Sequence, residues 1–235
     1  MSPMCSRIVQ AGGALRLSII EGLGAPDSRV LSLPARYNGT PSQELLAIRE
    51  NHQTGRRSID VLRWGLIPHR CKEPSGGRKP INAKAETVAR LPTFSDAYAR
   101  RRCIVPVNGF YEWQVTKAGK QPYAVAMANG EPFALGAIWE NWWSQRTAQW
   151  IRTFCIITTP ANTLVSRIHD RMPLILSADD YGRWLGKEPD PADLLGVYGS
   201  ATMAIWPVSN RVNSPTNDEA AIFAGIDTPI RGEPM

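Results

Sequence analysis

Strand-like runs follow one another along most of the chain, with turn signals between them. Glu44–Ile48 and Ser58–Trp64, for example, flank the turn-rich stretch Asn51–Gly55. Because strands cluster and do not alternate regularly with helices, the pattern predicts an α+β fold with mainly antiparallel sheets, not a Rossmann or barrel βαβ array. Further strands are predicted as Phe110–Thr116 and Tyr123–Ala128 around Lys117–Lys120, as a hairpin of Tyr123–Ala128 with Phe133–Ile138 around Asn129-Gly130, and at Phe154–Thr158 and Met203–Val208.

Helical patterns are fewer than strand patterns. Ser177 is placed to act as an N-cap for one of them. The stretch Cys71–Pro80, rich in Gly, Pro and Lys, is typical of a surface loop. The predicted helices are Ala85–Arg101, Asn162–Ile168, Ala178–Leu185 and Pro191–Tyr198.

The composition is that of a globular protein, with 43% hydrophobic and 20% charged residues among 235. This length allows one large domain or two small ones. The net charge of +6 favours an anionic partner such as nucleic acid, although the same charge can simply serve solubility.

Several classes of protein are disfavoured. There is no run of about 18 apolar residues and no signal-peptide pattern, so the sequence predicts no membrane partner. Four dispersed cysteines and three histidines disfavour a zinc site, and they indicate a reducing, cytoplasmic location. Because the sequence has neither a Walker A loop nor a G-x-G-x-x-G motif, we predict no cofactor.

Four polar residues stand in segments otherwise suited to burial: Cys5, Asn82, Glu112 and His169. Glu112 has aromatic neighbours on both sides. Burial among them would raise the pKa of its carboxyl into a range useful for acid–base chemistry, whereas strand alternation could equally turn it towards water. The other three each have an ordinary alternative: a turn or helix cap for Asn82, a loop histidine for His169 and an incidental terminal cysteine for Cys5.

Taken together and in order, short motifs along nearly the whole chain resemble the SRAP family (SOS response-associated peptidase), the abasic-site processing proteins. Each motif alone is weak, and their joint order and spacing carries the resemblance. The motifs are Met4-Cys5-Ser6-Arg7, Arg36-Tyr-Asn-Gly-Thr-Pro41, Arg63-Trp-Gly-Leu-Ile-Pro68, Ile81-Asn-Ala-Lys-Ala-Glu-Thr87, Arg102-Cys-Ile-Val-Pro106, Gly109-Phe-Tyr-Glu-Trp113, Ile168-His-Asp-Arg-Met-Pro173, Pro207-Val-Ser209 and Val212-Asn-Ser-Pro-Thr-Asn-Asp218.

The resemblance implies a single compact domain of curved, mainly antiparallel, barrel-like sheets with peripheral helices around a positively charged groove. It implies a monomer that reacts covalently with abasic sites in single-stranded DNA, and it associates the protein with the nucleoid when bound. The family's catalytic positions fall on Cys5, Asn82, Glu112 and His169. Candidate DNA contacts inside or beside the matched motifs are Arg36, Lys84, Arg171, Arg211 and Trp64.

The chemistry explains why an N-terminal cysteine is required. An opened abasic deoxyribose exposes a C1′ aldehyde, and an α-amine with a pKa of about 7.7–8.0 is partly unprotonated near neutrality. The amine can form an imine with the aldehyde, and the thiol of the same residue can then close a thiazolidine ring. The imine also permits β-elimination, so the resemblance is compatible with lyase activity.

The sequence departs from the family pattern at its start, where Met1-Ser-Pro-Met4 precedes Cys5. We therefore predict that residues 1–4 are a leader or a misassigned start removed before function, that 5–225 form the domain and that 226–235 are a tail. Other departures are Ser6 for glycine, Lys84 for arginine, and His69-Arg70 where relatives often carry tryptophan.

Two other functions stay open at this point. One is a peptidase or amidase with Cys5 as nucleophile and His169 as base. The other is a non-catalytic module that binds damaged single-stranded DNA.

Overall fold

The computed structural model describes residues 5–11, 19–20, 23–24, 28–51, 53–72, 79–188 and 190–233. The described helices are short, and none is long and apolar enough to cross a membrane. The strands are β1 Ile8–Gln10, β2 Arg36–Gly39, β3 Glu44–Glu50, β4 Arg57–Trp64, β5 Asn82–Lys84, β6 Arg102–Val107, β7 Gly109–Thr116, β8 Gly119–Met127, β9 Phe133–Ser144, β10 Gln149–Pro160, β11 Arg171–Pro173, β12 Ile175–Leu176, β13 Met203–Pro207 and β14 Ile230–Arg231. The α-helices are α1 Ser28–Leu31, α2 Ala85–Val88, α3 Ser95–Arg100 and α4 Tyr181–Leu185, and 3₁₀ turns occur at Val165–Arg167, Ala178–Asp180, Ala192–Leu195, Asn210–Asn213 and Ala220–Ile222.

The described strands form two sheets. One has the order β14-β13-β8-β7-β1-β2, and the other has the order β11-β10-β4-β3-β6-β9-β12 with β5 added beside β10. Because β9 also pairs with β10, strands β10, β4, β3, β6 and β9 close into a five-stranded barrel. The parallel pairs are β10 with β4 and β10 with β5. The prediction of an α+β fold with mainly antiparallel, barrel-like sheets is confirmed.

Two local predictions are wrong. The turn at Asn129-Gly130 does not join a hairpin, because β8 pairs with β7 and β13 whereas β9 pairs with β6, β10 and β12. The helix predicted over Ala85–Arg101 is two short helices, α2 and α3, with Pro92 between them. Residues 226–235, for which a tail is predicted, include the exposed strand β14, which pairs with β13 through Ile205 and Ile230.

The core lies inside the barrel and between the sheets. All residues of β6 are buried, because the strand has packing partners on both faces. Cys103, Val105 and Val107 face one buried cluster, which also contains Cys5, and Ile104 faces another. Cys5, the first described residue, is therefore part of the core.

Gly109 marks a close approach between β7, β8 and the C-terminal segment. A Cβ atom at this position would lie 2.7 Å from the carbonyl oxygen of Val125 and 2.8 Å from Cζ of Phe223. Because a backbone atom cannot move aside cheaply, we expect Gly109→Ala to lower the free energy of unfolding by about 1–3 kcal/mol. Urea unfolding measures this, with Gly199→Ala as the control because a Cβ there meets open space. Equal stability of the two variants would contradict the expectation.

Candidate active site

Cys5 is brought to strand β7 by the pairing of β1. Ile8 pairs with Phe110, and the Tyr111 amide donates to the Arg7 carbonyl at 3.1 Å. This register carries the backbone nitrogen of Cys5 to Oε1 of Glu112, to which it donates a hydrogen bond of 2.7 Å. Both residues are buried, with Glu112 only 1% exposed. Of the two interpretations of Glu112 left open by the sequence, the inward one is correct.

Burial controls the protonation of this pair. The pKa of Glu112 is raised to about 8, chiefly by loss of solvent and to a smaller extent by the charge of Asp170, against the opposing effect of hydrogen bonds from the Cys5 and Trp113 amides. The pKa of the Cys5 thiol is raised well above its ordinary value, first by burial and then by Glu112. The site thus favours a neutral thiol and a carboxyl that can exchange a proton near neutral pH.

The backbone of Cys5 has a φ of +38°, a conformation that residues other than glycine rarely adopt. On the side opposite Glu112, Nδ2 of Asn82 approaches the Cys5 carbonyl oxygen at 3.4 Å. Asn82 begins β5, whose parallel pairing with β10 places it beside Ile156. Asn82 and Glu112 therefore contact the two backbone ends of the same cysteine.

His169 lies on the turn between the Val165–Arg167 3₁₀ segment and β11. Its Nδ1 accepts a hydrogen bond from the Arg171 amide at 3.1 Å and lies 3.2 Å from an Asp170 oxygen. Gln114, two residues after Glu112, donates to the Arg167 carbonyl at 2.8 Å and ties this turn to β7. The turn uses Nδ1, so Nε2 is the ring nitrogen that can serve a substrate.

The predicted cationic DNA contacts differ in whether they form ion pairs. Arg36 pairs with Asp218 at 2.9 Å, Arg171 with Glu86, and Arg211 with Glu219, so three of the predicted cations are partly neutralised. Lys84 is exposed at the start of α2.

Trp64, the remaining candidate DNA contact, is buried in the structure. Its ring is fully buried, stacks on Phe154 at 6.0 Å between ring centres, and donates to the Ile81 carbonyl at 2.9 Å. A ring held in this way presents no face to a DNA base.

Sequence reasoning missed two partners in the site. It did not identify Asp170, whose charge contributes to the raised pKa of Glu112. Gln114 was missed as well, although its position two residues after Glu112 on a strand was a usable signal.

A potential ligand cluster stands apart from Cys5. In the part of the chain that the structure describes, His69, Asp96 and Glu140 bring ligand atoms within 4.8 Å of one another. The guanidinium of Arg101 contacts both Asp96 and Glu140, the latter at 3.1 Å. The arginine already supplies the positive charge that the two carboxylates need.

The fold and the site together define a barrel-containing α+β protein with a cysteine-centred candidate active site. The family model for SOS response associated peptidase (SRAP) matches residues 4–215, and the chain belongs to this family. The resemblance drawn from the motifs is thereby confirmed.

Named relatives extend this result. "Abasic site processing protein YoaM" of Bacillus subtilis is 38% identical over 80% of this chain and 83% of its own. "Abasic site processing protein YedK" of Escherichia coli is 28% identical over 81% of this chain and 85% of its own. A crystal structure of a protein from Bacteroides thetaiotaomicron superimposes with a TM-score of 0.84 at 25% identity, covering 94% of this chain and 99% of that one.

Proposed function

We propose that this protein processes abasic sites in single-stranded DNA by forming a thiazolidine crosslink through the α-amine and thiol of Cys5. The observation that carries the proposal is the 2.7 Å contact between the Cys5 nitrogen and the buried carboxyl of Glu112. A base placed at this nitrogen is what imine formation requires. The similar proteins are named abasic site processing proteins, which supports abasic sites as the target.

The reaction balances without a cofactor. The free amine of Cys5 adds to the C1′ aldehyde, and loss of water gives an imine. The thiol sulfur then bonds to the former C1′ carbon while its proton passes to the imine nitrogen, which closes the five-membered ring. Glu112, whose carboxyl contacts the Cys5 nitrogen, first accepts the ammonium proton and then relays protons during dehydration and ring closure.

Asn82 and His169 are proposed as helpers. Asn82, which approaches the Cys5 carbonyl, orients the nucleophile or the sugar by hydrogen bonding. His169 offers Nε2 for proton transfer during opening of the sugar ring, since Nδ1 is held by its own turn. The same imine permits β-elimination, so a lyase side reaction belongs to the proposal.

The reaction requires a free amine at Cys5. With residues 1–4 attached, the nitrogen is an amide and can form neither imine nor ring. We therefore propose that the functional protein begins at Cys5, either because translation starts at Met4 and that residue is removed or because the leader is cleaved. Residues 1–4 lie outside the described part of the chain.

A general peptidase or amidase fits the site less well. Such an enzyme needs a thiolate at Cys5, because the thiolate is the nucleophile. Burial and the neighbouring carboxyl raise the pKa of this thiol well above its ordinary value, which disfavours the thiolate. A neutral thiol is adequate for ring closure, since its proton is needed on the nitrogen.

Intact mass spectrometry tests the proposal directly. Protein expressed from the full reading frame is measured before and after incubation with a single-stranded oligonucleotide containing one abasic site. We expect a mass that begins at Cys5, followed by a heat-stable adduct whose mass equals protein plus oligonucleotide minus one water. A free Cys5 with no adduct would contradict the crosslink. Reversible binding without an adduct would favour a non-catalytic DNA-binding module.

A further inference from the structure

An exposed carboxylate lies beside the ring of His169. Oδ1 of Asp170 is 3.2 Å from Nδ1 of His169. We propose that Asp170 is a positioning residue that keeps a proton on Nδ1 of His169, so that Nε2 can exchange a proton with the sugar as it opens. This inference rests on the proposed function for the reaction, and it adds the residue that prepares His169 for its part in it.

Nδ1 of His169 has three polar neighbours at hydrogen-bond distance. The Arg171 amide, at 3.1 Å, is a donor, whereas the Arg171 carbonyl oxygen and Oδ1 of Asp170, both at 3.2 Å, are acceptors. A ring without a proton on Nδ1 accepts from the amide, and a ring with one donates to the two oxygens. Because the carboxylate is charged, it repels the lone pair of a bare Nδ1 and attracts an N–H. Asp170 therefore favours the ring that carries its proton on Nδ1.

The position of this proton decides what Nε2 can do. Opening of the sugar takes the proton of the C1′ hydroxyl, breaks the bond between C1′ and O4′, and places a proton on O4′. A neutral ring protonated on Nδ1 has a lone pair on Nε2, so Nε2 can accept the hydroxyl proton and return it to O4′ with no net change. A neutral ring protonated on Nε2 has no lone pair there and cannot begin the sequence.

The turn that carries His169 and Asp170 is fixed at several points. The amide of His169 donates to the Val165 carbonyl at 3.0 Å, and the Ala161 amide donates to the Asp170 carbonyl at 3.0 Å. The side chain of Gln114 ties the same turn to β7. The contact between the carboxylate and the ring is thus a feature of a held turn, which is what orientation of an acid–base group requires.

Neither ion pairing nor DNA affinity accounts for the charge of Asp170. Its side chain is 80% exposed, and in the part of the chain that the structure describes its ion-pair partner is His169 and not an arginine or lysine. Arg171, the next residue, pairs with Glu86 instead. An exposed carboxylate beside a site that receives a phosphodiester strand repels that strand. Placement of a proton on His169 gives this unfavourable charge a role.

Imidazole ¹⁵N NMR, recorded at a pH at which the ring is neutral, reads the position of the proton directly. The chain has three histidines, and the spectrum of His169→Ala assigns the His169 signals by their absence. We expect the proton on Nδ1 in the unchanged protein and on Nε2 in Asp170→Asn, because an asparagine amide can donate to Nδ1. The same proton position in both proteins would overturn the proposal.

Crosslinking and binding are then measured on the same variant. We expect Asp170→Asn to crosslink abasic single-stranded DNA about tenfold more slowly, since the acid–base group is misaligned but still present. It should bind an undamaged oligo-dT strand at least as tightly as the unchanged protein, and at most about twofold more tightly, because a repulsive charge is gone. In a His169→Ala background, Asp170→Asn should cause no further loss of rate.

The matched control is Asp179→Asn, which removes the same charge from an exposed aspartate outside the turn. If this variant slows crosslinking equally, or if the loss in Asp170→Asn persists without His169, the assignment to His169 fails. Crosslinking at the normal rate by a protein whose ring proton has moved to Nε2 would also overturn the proposal. If the spectra change as expected but the unchanged protein forms no adduct, the proton placement stands and the proposed reaction fails.

Discussion

The Cys5→Ala protein, expressed from Met4 so that residue 5 becomes the terminus, should form no heat-stable adduct with abasic single-stranded DNA. Alanine keeps the α-amine, so the imine can still form, but it lacks the sulfur that closes the ring. An imine hydrolyses on heating, whereas reduction by borohydride converts it to a stable amine. We therefore expect complete loss of the unreduced adduct, and retention of an adduct when borohydride is present.

The matched control for this experiment is Cys71→Ala. Among the described residues, Cys71 is a partly exposed cysteine, whereas Cys5, Cys103 and Cys155 are buried. It should crosslink as the unchanged protein does. A heat-stable, unreduced adduct formed by Cys5→Ala would exclude the thiazolidine. Loss of the borohydride-trapped product as well would mean that the α-amine of residue 5 does not form the imine without the cysteine side chain.

Local patterns predicted the strands well, but not which strands pair. Alternation and turn residues located β3, β4, β7 and β8, and the β3–β4 and β7–β8 pairs follow from short connections. The Asn129-Gly130 turn looks the same locally, yet it passes the chain from one sheet to the other. The sheet that β9 joins is decided by its pairing with β6 and β10 along the barrel. This pairing cannot be inferred from a short stretch of sequence.

The four candidate residues could be named from the motif order, but the state of Glu112 could not. In strand β7 the first four residues are all buried, so alternation does not indicate which face of the strand is exposed to solvent. The surroundings of Glu112 depend on the pairing of β1 with β7, which brings Cys5 to its carboxyl from about 100 residues earlier in the chain. The pKa of Glu112 is therefore a property of the tertiary structure.

A positive charge within a motif was also a poor guide to DNA contacts, because the ion pairs that each residue forms cannot be read from the motif. Arg36 and Arg171 were reasonable DNA contacts from their motifs, but their partners Asp218 and Glu86 lie far away in sequence. The sequence shows which residues carry a charge, and the fold shows which of the described ones pair with one another.

The Glu112→Gln protein tests the second essential group, and we expect its crosslinking rate to fall by about 10²–10⁴-fold at neutral pH. Glutamine keeps the shape of the side chain and an oxygen for the Cys5 nitrogen, but it cannot accept or return a proton. Its rate should rise with pH as solvent deprotonates the amine, whereas the unchanged protein should depend less on pH. Glu140→Gln removes a carboxyl that is also buried, at 2% exposure, but that contacts Arg101, and it should crosslink normally.

The pH dependence of unfolding tests whether the Glu112 carboxyl is the group that holds the proton. Burial raises the pKa of Glu112 to about 8 in the folded chain, whereas an unfolded glutamate has a pKa of about 4.3. Between these pH values the folded protein keeps a proton that the unfolded chain releases, so stability falls as pH rises. Relative to Glu112→Gln, the unchanged protein should lose roughly 2–3 kcal/mol of unfolding free energy between about pH 5.5 and 8.

The comparison is made with an N-terminal tag that keeps Met4 attached, because a free ammonium at Cys5 would lower the pKa of the carboxyl beside it. Releasing the tag should therefore flatten the pH dependence in the unchanged protein and leave the Glu112→Gln protein unaffected. A pH dependence that is the same with and without the carboxyl would mean that Glu112 does not hold the proton. The large loss of crosslinking rate would then have to arise from orientation of Cys5 alone.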